Sequence, residues 1–363
     1  MCCEAFVKLL YYIVRTKLNK MELSWIPKKK ELSWLQGICA QIIKTGPMPK
    51  HVAFIMDGNR RFASKNSIDQ SQGHIKGFIA LTEVLNWCHN LGITEVTVYA
   101  FSIDNFKRSK EEVDCLLGLA RERFKRLLQE KEELLKNEVC IRVFGNLSLL
   151  PKDIRENIAE IVTIFKNNSR NILNICIAYS SQEEITCVLK EVTEAVQLGL
   201  IKTSDIDEEV LQNCMYSGRS PNPDLVVRTS GEVRLSGFLA WQSSFSCLSF
   251  LNVLWPEFSI WHLFLSILQY QRSHDVIQEA VNYSHEKCES IQLESDYRCV
   301  HKDSENVHNC PNRFDFYIVL FTSLSIGVVL SSSSPHTGVV LSSSSPHTGV
   351  VLFNSSCHAL YIV

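Results

Sequence analysis

The segment HVAFIMDGNRRFA, residues 51–63, places an acid and two arginines directly after a run of mostly apolar residues. Arg60 and Arg61 can donate paired hydrogen bonds to phosphate oxygens, and Gly58 lets backbone N–H groups approach an anion. Phosphates would repel Asp57 unless a divalent cation lay between them, and Mg²⁺ binds one or two carboxylates together with substrate phosphates. These residue types at this spacing therefore predict a Mg²⁺–diphosphate site.

Two later segments, YAFSIDNFKRS and VVRTSGEVRLSGF, carry a similar mixture of polar and basic residues. The side chains of interest are Ser102, Asp104, Asn105 and Arg108 in the first segment, and Arg228, Arg234 and Ser236 in the second. Arginines thus occur in two clusters that are far apart in sequence. Because each cluster can bind phosphate oxygens, the pattern predicts that two phosphate-bearing groups bind at once.

Each of these segments follows a short apolar run, and such runs recur along the chain. They cover residues 51–56, 95–101, 139–145, 172–179, 224–230 and 247–253. Each run is apolar nearly throughout, as in strands that are covered on both faces. Alternation of such strands with helical stretches predicts an α/β fold, with a mainly parallel central sheet of about six strands flanked by helices. Ligands of these sheets bind at the carboxyl ends of the strands, where the polar segments are expected to meet.

The stretches between the apolar runs have helical periodicity. In the stretch 109–136, apolar residues recur every three or four positions and charged residues fill the other face. Two pairs, Ser109 with Glu112 and Ser181 with Glu184, have the spacing of capping boxes and predict two helix starts.

The composition is that of an ordinary globular protein and gives no sign of a nucleic-acid-binding one. The chain has 363 residues, is 45% hydrophobic and 21% charged, and has a formal net charge of -2. Bulk electrostatics therefore gives no support for a nucleic-acid partner. The 14 cysteines are scattered through apolar runs without a Cys-x-x-Cys pair, which is typical of buried thiols in a reducing compartment.

Both ends of the chain differ from the central pattern. Residues 1–33 form a basic arm whose apolar run is short and lysine-containing, so a cleaved signal peptide is not expected; membrane-surface contact and disorder both stay open. Residues 34–270 are expected to form one domain. A polar helix is predicted for residues 271–298. A low-complexity or disordered tail, in which GVVLSSSSPHT occurs twice, is predicted for residues 299–363.

The tail contains a further set of metal-ligand residue types. The segment CVHKDSENVHNC places Cys299, His301, His308 and Cys310 symmetrically, and all four can bind Zn²⁺. The Cys-x-His spacing is unusual for structural zinc and the surrounding sequence is of low complexity. We therefore favour the interpretation without a metal.

Five motifs, in their order and spacing, resemble those of the cis-prenyltransferase family. They are HVAFIMDGNRRFA, GHIKG, VTVYAFSIDNFKRS, PDLVVRTSGEVRLSGFLAWQ and VLWPEF. The resemblance extends over residues 34–270 and implies the cis-prenyltransferase fold. It also implies an apolar tunnel for the growing prenyl chain, walled by helices at 74–90 and 109–130. The NRR and RTSGEVRLS variants are most similar to the eukaryotic branch of the family.

The resemblance implies a reaction and a set of site residues. Isopentenyl diphosphate units would be added to farnesyl diphosphate, making long-chain dehydrodolichyl diphosphate for dolichol and protein glycosylation. The residues implied for the allylic diphosphate are Gly58, Asn59, Arg60, Arg61, His74 and Arg108. Those implied for isopentenyl diphosphate are Arg228, Arg234 and Ser236. Catalytic roles are implied for Asp57, Ser102 and Asn105, with Asp57 also the Mg²⁺ ligand.

The eukaryotic branch implies a partner and a location. Its catalytic subunits resemble this chain and work with a second, inactive subunit of the Nogo-B receptor type. We therefore expect a heteromer that lies peripherally on the cytosolic face of the endoplasmic reticulum membrane, with no nucleic-acid partner.

Four positions depart from the family pattern. Gln70 stands where an Arg usually precedes the GH pair, Asp104 replaces a Glu, Gly237 replaces an Asn or Asp, and Cys247 aligns with a Glu that helps hold Mg²⁺ in bacterial members. These departures keep open an alternative function, a low-activity or non-catalytic isoform that acts as a partner-binding subunit. A phosphohydrolase with Asp57 as nucleophile is disfavoured, because the second Asp that such enzymes commonly use two residues later is absent.

Overall fold

The computed structural model describes residues 24–25, 32–218 and 220–300. Most of the basic arm, the tail beyond residue 300, and the Zn²⁺ hypothesis that depends on His301, His308 and Cys310 lie outside the described residues. Residues up to Tyr283 belong to one compact unit, and every contact discussed below lies within it.

Six strands form a single, fully parallel sheet in the order β3-β4-β2-β1-β5-β6. The strands are β1 His51–Ile55, β2 Glu95–Ser102, β3 Val139–Phe144, β4 Asn171–Tyr179, β5 Leu225–Arg228 and β6 Cys247–Phe250. The predicted fold class is confirmed, and each observed strand falls on one of the apolar runs. The predicted tunnel stays a prediction.

Helices occupy most of the segments between the strands. Those of the described residues are α1 Trp34–Ile43, α2 Asn59–Lys65, α3 Gln70–Leu91, α4 Lys110–Gln129, α5 Lys131–Lys136, α6 Lys152–Phe165, α7 Ser181–Gln197, α8 Glu208–Cys214 and α9 Ile260–Val300. The polar helix predicted at 271–298 is part of α9, which begins before residue 271. No helix among these is both long and apolar enough to cross a bilayer.

Strand β1 shows why the strand sequences are apolar on both faces. Val52 and Phe54 belong to the larger of the hydrophobic clusters, together with residues of α3, α4, α6 and α9. Ala53 and Ile55, which point to the opposite face, belong to a second cluster with Tyr179 and Phe238. Because both faces are covered, every residue of β1 is buried. The central strand therefore holds its carboxyl end in a fixed position.

The two predicted capping boxes have different outcomes. Ser109 caps α4, since its hydroxyl accepts a hydrogen bond from the Glu112 N–H at 3.3 Å. The predicted box is only half formed, because the Glu112 carboxylate accepts from Arg108 and Arg60. The prediction at Ser181 is wrong: α7 begins at Ser181 itself, and the Ser181 hydroxyl accepts from the Ala240 N–H at 2.8 Å. Glu184 is buried and bonds to residues from other segments. At this position the two side chains bond to residues that are distant in sequence and do not form the local cap.

Candidate active site

The carboxyl ends of β1 and β5 lie side by side, because the two strands pair in parallel with Ile55 opposite Arg228. Nη2 of Arg228 donates a hydrogen bond to Oδ2 of Asp57 at 2.9 Å. The Arg228 side chain is only 4% exposed, whereas that of Asp57 is 34% exposed. The structure therefore brings the two predicted diphosphate sites into direct contact.

Arg228 also holds the loop that follows β5. Its Nη1 donates to the hydroxyl of Ser236 at 2.7 Å and to the carbonyl of Arg234 at 2.5 Å. The side chain of Arg234 is exposed and forms an ion pair with Glu232. One buried guanidinium thus links Asp57 to a loop that carries the other residues predicted for isopentenyl diphosphate.

The backbone of Asp57 is fixed by residues that the sequence motifs did not assign to the site. The Asp57 carbonyl accepts from the Thr229 hydroxyl at 2.7 Å and from the Trp255 N–H at 3.0 Å. Gly58, which follows, has φ 113° and caps α2. A Cβ at Gly58 would lie 3.1 Å from the Leu254 Cα, so both the conformation and the close packing favour glycine there.

Arg61 lies between two carboxylates. Its Nη2 is 3.9 Å from Oδ2 of Asp57 and 3.6 Å from Oε1 of Glu232. Its Nη1 donates to the carbonyl of Ser230 at 3.0 Å, and Nη2 also contacts the Ser230 hydroxyl. Half of the Arg61 side chain is exposed. Glu232 lies among the predicted residues but was not itself predicted as a site residue.

A second basic cluster lies where α2 meets the start of α4. Glu112 accepts from Nη1 of Arg108 at 2.7 Å through one oxygen and from Nη1 of Arg60 at 3.5 Å through the other. Two arginines predicted for the allylic diphosphate are therefore held by one carboxylate. Sequence reasoning assigned Glu112 only to a helix cap, because its spacing from Ser109 is a local signal and its arginine contacts are not.

His74 lies beside this second cluster. Burial, and then the positive charge of Arg108, lower the pKa of His74 from 6.5 to about 4, so its imidazole is neutral at neutral pH. Within the described residues, the buried Nε2 of His74 has no hydrogen-bond partner. A cavity of about 370 Å³ opens next to His74 between the starts of α3 and α4, and Gln70, Glu112 and Cys115 also line it.

The glycines of GHIKG have a packing role. A Cβ at Gly73 would lie 2.5 Å from the Asn59 carbonyl oxygen, and one at Gly77 would collide with the Asn59 side chain. The indole N–H of Trp255 donates to the Gly77 carbonyl at 2.7 Å. These contacts let α3 approach α2 closely. Asn59, which was predicted to bind the allylic diphosphate, packs against α3, and its Nδ2 bonds to the Met56 carbonyl at 3.4 Å.

Ser102 and Asn105 lie at the carboxyl end of β2, where they cap the short 3-10 helix Ile103–Lys107. The Asn105 side chain accepts from the Ser102 N–H at 2.9 Å, and the Ser102 hydroxyl accepts from the Asp104 N–H at 3.1 Å. The carboxylate of Asp104 pairs with Lys107 at 2.7 Å and is 70% exposed. Ser102 and Asn105, two of the three residues predicted to be catalytic, therefore shape the turn that leads to Arg108.

The family follows from a comparison with known proteins. A family model described as putative undecaprenyl diphosphate synthase matches residues 55–277. The chain belongs to this family, the cis-prenyltransferases. The dehydrodolichyl diphosphate synthase complex subunit of Homo sapiens is 55% identical over 278 residues, which cover 77% of this chain and 83% of the human one.

More distant cis-prenyltransferases agree with this assignment. The tritrans,polycis-undecaprenyl-diphosphate synthase (geranylgeranyl-diphosphate specific) of Thermoplasma acidophilum is 43% identical over 237 residues, 65% of this chain and 92% of that one. The crystal structure of lavandulyl diphosphate synthase from Lavandula x intermedia in complex with dimethylallyl diphosphate superposes with a TM-score of 0.59. It is 29% identical and covers 62% of this chain and 95% of that chain.

Two departures from the cis-prenyltransferase pattern can now be placed. Cys247 begins β6 opposite Leu225, at the amino end of the strands, whereas Asp57 follows the carboxyl end of β1. A residue at position 247 therefore does not lie beside Asp57 of the same chain. Gly237 has φ 71°, and a Cβ there would lie 2.7 Å from Oε1 of Gln182. The Gln182 side chain occupies the space that the family's Asn or Asp would enter.

The donor set is compatible with the Mg²⁺ expected of a cis-prenyltransferase. Within the described part of the chain, no three His, Cys, Asp or Glu side chains are grouped so as to hold a metal ion on their own. Asp57 offers one partly exposed carboxylate beside Arg61 and Arg228. This arrangement fits a cation that takes its other ligands from substrate phosphates and water.

Proposed function

We propose that this chain is the catalytic subunit of a cis-prenyltransferase that makes long-chain dehydrodolichyl diphosphate for dolichol and protein glycosylation. Isopentenyl diphosphate units would be added successively to farnesyl diphosphate, in a catalytic domain formed by residues 34–270. The contact between Arg228 and Asp57 is the observation that carries the proposal. It supports the proposal because the residues that we propose bind the two diphosphates would then lie next to each other, as a reaction between two diphosphates requires.

The allylic diphosphate would bind over the start of α2. Arg60, Arg61 and Arg108 supply guanidinium donors, and the neutral His74 lies beside them. One guanidinium group can donate two parallel hydrogen bonds to the oxygens of one phosphate. Dimethylallyl diphosphate, the compound in the lavandulyl diphosphate synthase crystal, is itself an allylic diphosphate.

Isopentenyl diphosphate would bind at Arg228, Arg234 and Ser236. Its terminal alkene carbon would attack C1 of the allylic substrate as the C–O bond to the leaving diphosphate breaks. Loss of a proton from C2 of the isopentenyl unit then forms the cis double bond. Ser102 and Asn105 would contribute by fixing the turn that positions Arg108.

Mg²⁺ would be held by Asp57 together with substrate phosphates. When bound, it would neutralise the charge that develops on the departing diphosphate. The chain itself supplies the remaining positive charge through Arg61, 3.9 Å from Asp57, and the buried Arg228.

A partner and a location accompany the proposed activity. The human relative is named as a complex subunit, which supports a heteromer. We propose that the other subunit is Nogo-B receptor-like. We propose that the complex lies peripherally on the cytosolic face of the endoplasmic reticulum membrane. Co-purification of the two subunits from untreated microsomes would test the heteromer. An alkaline carbonate wash should then release the chain into the supernatant, and its retention in the membrane pellet would contradict peripheral binding.

The activity is tested by incubating the chain and its partner with farnesyl diphosphate, labelled isopentenyl diphosphate and Mg²⁺. The expected result is labelled long-chain polyprenyl diphosphate from the natural sequence and none from Asp57→Ala. Asp153→Asn changes an exposed acid that pairs with Arg121 elsewhere on the surface and is the matched control. Undiminished product from Asp57→Ala would refute its role, and absence of product from the natural sequence would favour the non-catalytic alternative.

A further inference from the structure

Glu184, in the first turn of α7, is a buried carboxyl group that the proposed chemistry does not use. It is 1% exposed, and three donors surround it. Its Oε1 accepts from the Tyr216 N–H at 2.8 Å, and its Oε2 accepts from the Tyr179 hydroxyl at 2.6 Å and from Nε2 of Gln242 at 3.2 Å. Burial of a carboxylate is costly unless hydrogen bonds compensate it. The three hydrogen bonds of Glu184 offset this cost, and they connect segments that are distant in sequence.

The bonds around Glu184 join α7 to the segment that follows Ser236. Gln242 belongs to that segment, and the Ser181 N–H donates to the Gly237 carbonyl at 2.7 Å. The Ser181 hydroxyl accepts from the Ala240 N–H at 2.8 Å. The first turn of α7 therefore fixes three positions of the segment 237–242, through two backbone groups and one side chain.

The same loop is held on its other side by Arg228. Nη1 of Arg228 bonds to the Arg234 carbonyl and to the Ser236 hydroxyl. Tyr99 also contacts the loop, because its ring stacks on Phe238 at 4.7 Å and its hydroxyl is shared between the carbonyls of Tyr179 at 3.2 Å and Ser236 at 3.3 Å. The segment from Arg234 to Gln242 is thus bonded to Arg228, at the end of β5, on one side and to the first turn of α7 on the other.

Gly237 makes this support more important in the present chain. It adopts φ 71° and has no side chain with which to brace the loop. The adjacent Gln182 bonds instead to the Ser180 hydroxyl at 2.5 Å. On the side of α7, the loop therefore depends on the bonds that Ser181 and Glu184 make.

We propose that Glu184 is a positioning residue for the isopentenyl diphosphate site. Glu184 fixes the side chain of Gln242, and Ser181 fixes the backbone at Gly237 and Ala240. Together these bonds hold the loop so that Arg234 and Ser236 face the diphosphate. Glu184 itself does not contact the substrate. The inference rests on the proposed function, because that function assigns the loop to isopentenyl diphosphate. Small displacements of positioning groups have large kinetic effects.

The test compares KM values for the two substrates, with the partner subunit present. Glu184→Ala is expected to raise KM for isopentenyl diphosphate about tenfold, while kcat and KM for farnesyl diphosphate change less than about twofold. Glu184→Gln should recover most of this loss, with KM within about threefold of the natural value. Its amide keeps the shape and one acceptor. The new Nε2 is a donor, so the Gln242 amide must turn over to present Oε1, which has no partner among the described residues, in place of the Nε2 that now donates to Glu184.

Two further variants keep the result interpretable. Ser181→Ala removes the acceptor of the Ala240 N–H, makes a smaller change than Glu184→Ala, and should shift the same KM in the same direction. Glu95→Gln alters another buried carboxylate, which accepts from Asn174 at 2.6 Å at the amino end of β2, and should leave both KM values unchanged. Calorimetric binding of isopentenyl diphosphate to the same complexes gives the comparison without turnover.

The outcomes separate this inference from the proposed function. Unchanged affinity for isopentenyl diphosphate in both Glu184→Ala and Ser181→Ala would overturn the positioning role, as would a parallel rise in both KM values. Failure of the natural complex to form any carbon–carbon bond would instead overturn the proposed function. Calorimetry would still report whether the loop binds the diphosphate and whether Glu184 affects that binding.

Discussion

The guanidinium of Arg228 lies 2.9 Å from the carboxylate of Asp57, although 171 positions separate the two residues in the chain. Their strands are direct neighbours in the sheet, so the contact is fixed by backbone hydrogen bonding and not only by side-chain preference. Arg228 is buried and Asp57 faces the opening of the site. This pair joins the two halves of the proposed active site.

Replacement of Arg228 by lysine tests whether its planar, forked shape matters. Arg228 bonds to Ser236 through Nη1 and to Asp57 through Nη2, and a lysine has one nitrogen in place of these two, so kcat/KM should fall about 100-fold. The lost buried hydrogen bonds should lower the free energy of unfolding by about 1–2 kcal/mol, as measured in urea. Arg170→Lys, in an exposed pair with Glu138, is the matched control and should change neither quantity. Activity close to natural in Arg228→Lys would show that charge alone suffices.

His74 should make stability depend on pH. Its pKa is about 4 in the folded protein and 6.5 as the ordinary value. As pH falls from 6.5 towards 4, the unfolded chain takes up a proton that the folded chain refuses, so stability is lost across this window. The total loss should be on the order of 3 kcal/mol. Urea titrations between pH 4.5 and 7.5 would measure the larger part of this loss.

Two variants identify the contribution of His74. His74→Gln should reduce the slope of stability against pH over this window, and the slope that remains includes His51 and His262, whose pKa values burial also lowers. His89→Gln removes an exposed imidazole from the other end of α3 and should leave the slope in place. An equal slope in His74→Gln and the natural sequence would contradict the assignment.

Gly77 tests whether GHIKG serves packing as well as substrate binding. A Cβ there would meet the Asn59 side chain and lie 3.1 Å from Cδ1 of Trp255. Gly77→Ala should therefore destabilise the fold by about 1–3 kcal/mol, through overpacking. A Cβ at Gly118, in α4, would instead enter open space, so Gly118→Ala should be stabilising by about 0.5–1 kcal/mol. Thermal and urea unfolding would compare them, and equal stability of the two variants would refute the close-packing account.

The sheet could be predicted from sequence because its signals are local. Each buried strand is apolar nearly throughout, and the parallel arrangement follows from alternation with helices. The same argument correctly brought the polar residues after β1 and β5 to one edge. Family resemblance then supplied expected roles, which geometry by itself does not assign.

The remaining contacts depend on partners that are distant in sequence. Ser181 and Glu184 have capping-box spacing, but Ala240 and Gln242 occupy their side chains. Glu112 has the spacing of a cap and also gathers Arg60 and Arg108. The spacing of a serine and a glutamate in the sequence is the same whether or not a distant residue bonds to them. Only the folded structure therefore shows which hydrogen bond forms.

A double-mutant cycle of Asp57→Asn and Arg228→Gln, read out as kcat/KM for labelled isopentenyl diphosphate, tests the central claim most directly. If the two side chains act as one unit that joins the diphosphate sites, the double variant should be about as impaired as the worse single variant. If their effects on the activation free energy simply add, the two residues act independently, and the account of a joined site is contradicted.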